Sequence, residues 1–187
     1  MDNKCNIFCQ EEVIRANYNP KAINFDNFAL NKNKIMDTGI LHFHSLWRYV
    51  ALILLLLTLL RSMHGWGSKA EYTNADIKLS LFSMISLHIQ LLTGIILYVS
   101  SGLVQFSDMG GVMKNYSLRF WTVEHISTMI IAVILITIGR KIAINTDNDT
   151  GKHKRIVVVF GIGLLLIFLA IPWPWSNIEI ARPFFNF

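Results

Sequence analysis

Apolar residues along this chain gather in four long blocks, approximately Leu41 to Arg61, Lys78 to Ser101, Leu118 to Gly139 and Lys154 to Trp175. Each is close to the roughly 20 residues that an α-helix needs to cross about 30 Å of hydrocarbon. The pattern predicts an all-α, polytopic membrane protein, an up-and-down bundle of four transmembrane helices. Its domain organisation follows: a polar N-terminal tail over 1–38, a membrane domain over 39–176 and a short C-terminal tail over 177–187. The connections are too short for a second folded domain, so function resides in the bundle or at its two rims.

The tail is rich in Asn and has no long apolar run, so it reads as neither a cleaved signal peptide nor a span, and its composition fits disorder. Met36, followed by "DTGILHFHSLWRYV", has the look of an alternative start beside Met1. Cys5 and Cys9, four apart and without nearby His, make a poor zinc site and fit a disulfide or two idle thiols. At the other end, "IPWPW" removes two backbone donors and closes the fourth helix.

Composition agrees with the pattern: 53% of residues are hydrophobic and mean hydropathy is +0.44, outside the soluble range. The formal charge of +5 and pI near 9.3 then set topology rather than mark a nucleic-acid surface, since no Arg/Lys stripe with interleaved aromatics is free to bind one. Eight cations (Arg61, Lys69, Lys78, Arg140, Lys141, Lys152, Lys154 and Arg155) flank the first and third connections. Arg48, Lys114, Arg119 and Arg182 lie at the opposite ends, joined by Lys32 and Lys34 if the tail is counted. The positive-inside rule places the first and third connections in the cytoplasm of a bacterial inner membrane and both termini on the periplasmic side. Trp47, Tyr49, Tyr98, Tyr116, Trp121, Trp173 and Trp175 mark the outer ends of the spans, Trp66 and Tyr72 the inner ends.

Three of the six histidines, His44, His88 and His125, fall within or at the edge of these apolar segments, on different helices. An ionisable group inside a span is expensive and by default faces the bundle interior, where it meets a partner or ligand. At about 1.5 Å of rise per residue, His44 lies roughly 10 Å outside the midplane, His125 roughly 5 Å outside it and His88 near it. Two imidazoles at similar height can clamp a planar haem, each giving a neutral nitrogen to the iron. Both His44 with His125 and His88 with His125 satisfy this, only two of the three serving as axial ligands; the first pair is favoured because it spans the bundle diagonal. Gly94 and Ala132 yield volume near these positions, for a cofactor or for close helix packing. Against this stands helix packing by polar side chains, with Ser45, Ser86, Gln90, Thr93, Thr122 and Thr128 as partners. His64 and His153 lie at the inner rim, where "GKHKR" reads as a basic cap facing lipid headgroups.

Glu124 and Arg48 are candidate groups around that site. Adjacent helical residues diverge by about 100°, so Glu124 turns away from whatever His125 faces. It can pair with Arg119 or Arg48, or carry a proton as a carboxyl of low-dielectric surroundings. Arg48 can bind a haem propionate or anchor the helix at the interface.

The stretches "LHFHSLWRYV", "LHIQLLTGIILYVSS", "RFWTVEHISTMIIAVILITIGRK", "KHKR" and "IPWPW" together resemble small four-helix membrane proteins of Bacteroidota labelled "cytochrome b", over roughly Gly39 to Trp175. The matching stretches contain His44, His88, Gln90, Glu124, His125, His153, Pro172 and Trp173. The resemblance implies haem b and a place in a respiratory or other membrane electron chain, with the quinone pool on one side and a partner subunit on the other. It implies an electron carrier or redox subunit rather than a self-contained enzyme.

Two further functions remain open on the sequence. One is a non-haem accessory or assembly subunit of a larger membrane complex, in which the histidines lock helices together. The other is an enzyme acting on a quinone or lipid with Glu124 and His125 as acid and base, which their divergence disfavours. No Gly/Pro-broken span marks a transporter, and the phosphate-binding loop, nucleophile elbow and HExxH are absent from the sequence.

Overall fold

The computed structural model describes residues 20–100, 104–176 and 179–182, with side chains from residue 38 onward. Its regular structure is helical: α1 (Pro20–Ser68), α2 (Asn74–Ser100), α3 (Met109–Lys114), α4 (Tyr116–Arg119), a π-helical turn (Phe120–Glu124), α5 (His125–Ile144) and α6 (Asp149–Ala170). Four stretches are long and apolar enough to span a bilayer: Thr38–Ser68, Asn74–Ser100, Tyr116–Ile144 and Asp149–Ala170. The chain is thus a multi-pass membrane protein whose fold is a bundle of four spans.

Two units divide at Gly39. In the first, helical backbone belonging to α1 starts at Pro20, inside the segment whose composition points to a disordered tail. Cys5 and Cys9 lie outside the described residues. The second unit is Ile40–Phe187.

The observed spans overrun the hydropathy blocks, because a helix continues until its backbone is capped, not until its side chains turn polar. α1 runs past Arg61 to Ser68 and is closed by Lys69 in the left-handed region (φ 54°), with the Ala70 N–H donating to the Gly65 carbonyl at 3.0 Å. Asn148 caps α6, its side chain accepting from the Gly151 N–H at 2.6 Å. α6 ends at Ala170, before "IPWPW" rather than at Trp175.

Four sets of contacts arrange the spans. α1 meets α2 through Thr58 and Ser83 (2.7 Å) and through Arg61 and Asp76 (2.5 Å). α2 meets the third span through Tyr98, donating to the Thr122 carbonyl of the π-helical turn at 2.7 Å, and through Ser80, accepting from Arg140 of α5 at 3.2 Å. α5 meets α6 at two glycines, Gly139 against Val159 and Gly163 against Ile136, where an added Cβ would collide with the opposing side chain. α6 returns to α1 with His153 against Gly65. The ring α1–α2–α5–α6 closes, which sets α1 and α5 across the bundle from each other. Small residues permit this close approach where lipid tails offer no hydrophobic gradient.

Leu55, Leu87, Ala132, Ile136, Ile156 and Phe160 fill the interior. Ile53, Phe82, Leu92, Ile131, Ile138 and Leu165 are exposed on the outside. Helices apolar all round are what a bilayer requires, since the solvent on their outer face is hydrocarbon.

Candidate functional site

His44 and His125 approach the same level of the bundle from opposite helices. The α1/α2 contact at Thr93 and the contact of Tyr98 on α2 with Thr122 in the π-helical turn set the register, and the two histidines agree in height to within about one helical turn, roughly 5 Å. They and Arg48 are close enough for charge on Arg48 to act on both rings and for charge on His125 to act on His44.

Each of these rings is oriented by its Nδ1. His125 Nδ1 lies 2.8 Å from the Ala170 carbonyl, which can only accept, so Nδ1 carries the proton. His44 Nδ1 lies 3.1 Å from Thr93 Oγ1. Thr93 Oγ1 also reaches the carbonyls of Ile89 (3.1 Å) and Gln90 (3.0 Å) of its own helix, so this hydroxyl ties the His44 ring to α2. Among the described residues neither Nε2 has a hydrogen-bond partner, and in His125 Nε2 is the unprotonated nitrogen. That tautomer is the one a metal-ligating histidine adopts when its other nitrogen is tied to a carbonyl or hydroxyl.

The acceptor for His125 is made available by sequence. In a helix continued beyond Ala170, the Phe168 and Ala170 carbonyls would take the N–H groups of residues 172 and 174, and both are proline. Trp173 Nε1 donates to Phe168 at 2.9 Å and His125 Nδ1 donates to Ala170. "IPWPW" therefore does more than end the helix: it frees the carbonyl that orients His125.

The surroundings are partly polar and partly aromatic. Gln90 Nε2 donates to the His44 carbonyl at 2.9 Å and Trp47 Nε1 to the Ser86 carbonyl at 3.1 Å. Gln90 Oε1 and Ser86 Oγ, one turn apart on α2, are buried without a hydrogen-bond partner. A Cβ added at Gly94 would lie 3.1 Å from His44 Cε1, so this glycine leaves room for the ring. The rings of Phe120 and Trp121 lie 5.7 and 5.8 Å from that of His125. Both belong to the π-helical turn that feeds α5, a local irregularity common at functional sites and invisible to hydropathy.

The other candidates are placed differently. His88 lies on the exposed face of α2, its Nδ1 2.8 Å from the Met84 carbonyl of its own helix, and it does not join the other two histidines. Glu124 accepts from Arg119 Nε at 2.6 Å, one of the partners the sequence allows. Arg48 donates from a terminal nitrogen to the Tyr49 hydroxyl at 3.1 Å and lies 4.9 Å from that ring. His153, expected in a basic cap facing headgroups, is instead 1% exposed beneath Gly65 and Tyr72. The reason is steric: with no side chain at Gly65, α6 approaches α1 closely and the imidazole fills the interface.

No group of three or more His, Cys, Asp or Glu residues able to hold a metal ion occurs among the described residues. A haem needs only two protein ligands, and the residues present fit that requirement: two imidazoles at one level whose Nε2 atoms have no partner among the described residues, and orphaned polar atoms beside them. No family model, curated protein or solved structure matches this chain.

Proposed function

We propose that the chain binds a b-type haem between α1 and α5, with His44 and His125 as axial ligands, and passes electrons between the quinone pool and a partner subunit. The observation that carries this reading is the shared anchoring of the two histidines, each with Nδ1 at a protein oxygen and Nε2 without a partner among the described residues. A bound haem supplies a reversible one-electron couple. Around it Thr93 and Ala170 hold the ligating rings in place, Arg48 offers a cation for an acidic side group, and Phe120 and Trp121 exclude water from the His125 side.

His88 is suited to the donor. Its Nδ1 is committed to Met84, so Nε2 is an acceptor on the exposed face of a span, at a depth where a quinol hydroxyl can reach it through the lipid. The cation-rich end of the bundle, with Arg140, Lys141, Lys152, Lys154 and Arg155, belongs in the bacterial cytoplasm, and the histidine site lies toward the periplasmic face.

One observation favours a second reading, a non-haem accessory subunit: Thr93 and Ala170 already give each histidine a partner of the kind helix packing would use. A dithionite-reduced minus oxidised spectrum of the detergent-purified protein separates the two. Sharp reduced bands that disappear in His44→Ala and His125→Ala support the haem. A flat spectrum after expression with ample haem supply leaves the packing role.

A further inference from the structure

Arg140 stands out at the opposite end of the bundle. It is 9% exposed, donates from Nε to Ser80 Oγ at 3.2 Å and from a terminal nitrogen to the Ile77 carbonyl at 3.2 Å. No carboxylate pairs with it among the described residues, whose ion pairs are Arg61–Asp76, Arg119–Glu124 and Lys152–Asp149. A guanidinium has five N–H donors and a permanent charge, and burying it without a counter-ion is costly.

The carboxylates at this rim are already engaged, Asp76 with Arg61 and Thr73 and Asp149 with Lys152. Ser80 donates to the Ile77 carbonyl at 3.0 Å and accepts from Arg140 and, at 3.4 Å, from Tyr72. Burial pushes the Tyr72 hydroxyl above its ordinary range, so it stays a neutral donor. On the far side of the Tyr72 ring, His153 stands edge-on at 4.8 Å, and neither of its buried nitrogens has a hydrogen-bond partner. Lys78 and Lys141, exposed next to Ile77 and Arg140, add two more positive charges.

We infer that this rim binds the phosphate group of an anionic ligand, with Arg140 as its principal contact and Lys78 and Lys141 as outlying charges. Arg140 lies one turn from the end of α5, the depth at which lipid headgroups begin. Its planar fork matches phosphate oxygens, and basic pockets between spans are where acidic headgroups dock. The phosphate can belong to an acidic phospholipid or be free in solution. Fifteen residues of α5, about 22 Å, separate Arg140 from His125, so this site is independent of the haem reading.

The test is thermal unfolding of the full chain in mild detergent with phosphatidylglycerol, phosphatidylcholine or inorganic phosphate added. The expected result is a rise of several degrees with phosphatidylglycerol alone, lost in Arg140→Gln and kept in Lys154→Gln. An equal rise with inorganic phosphate assigns the site to free phosphate. A wild-type protein that responds to none of the three, or an Arg140→Gln variant that responds as wild type does, overturns the inference. Should Arg140→Gln not fold, native mass spectrometry of the wild type from mixed micelles decides: a retained acidic lipid in excess of its micelle share supports the site, and acidic and zwitterionic adducts in micelle proportion, with no phosphate adduct, overturn it.

Discussion

His125 on α5 donates from Nδ1 to the Ala170 carbonyl on α6, 2.8 Å away. One hydrogen bond joins two helices, satisfies an orphan carbonyl at a helix end and fixes which ring nitrogen stays basic. If that basic nitrogen holds iron, haem content per chain falls at least tenfold in His125→Ala and in His44→Ala. A pyridine haemochrome assay on protein of known concentration checks this.

Thr93 performs the corresponding service for His44. Thr93→Val is close in shape but removes the hydroxyl, and loss of such a supporting group lowers metal affinity by about 10- to 100-fold. Haem titration of the apoprotein reads the change directly, with the β-branched side chain preserved as the packing control.

His88→Phe separates ligation from substrate contact. With His88 on the exposed face of α2, the dithionite-reduced bands are expected to survive while the rate of reduction by a soluble quinol falls. Loss of the bands themselves would move the ligand pair to His88 and His125.

The ion pair of Glu124 with Arg119 has side chains 43% and 33% exposed, so solvent screens most of its attraction. Glu124→Gln is expected to cost less than about 1 kcal/mol in unfolding free energy and to leave haem content unchanged. A larger loss of haem would give Glu124 a direct role at the site.

Gly65→Ala places a methyl group against the buried His153 ring and is expected to destabilise by about 1 to 3 kcal/mol through overpacking. The double variant with His153→Ala should recover part of that loss, a coupling that thermal unfolding of the four-member cycle measures.

By itself the sequence determined the solvent and the architecture. Four apolar blocks of spanning length admit only helices, because hydrocarbon satisfies no backbone group, and short connections admit only an up-and-down order. It also picked out His44, His88 and His125, because a polar ring in such a block is rare enough to be noticed against its neighbours, without deciding among them. The tertiary structure decided which face each ring presents. Which azimuth of a helix faces its neighbours is set by packing and is not written in hydropathy, so His88 turns outward while His44 and His125 share one level. Packing also decided that Glu124 meets Arg119, that His153 is buried under Gly65 and that Arg140 has no carboxylate among the described residues. Each of these depends on a residue from another element or another turn at short range, and those proximities exist only once the helices have packed.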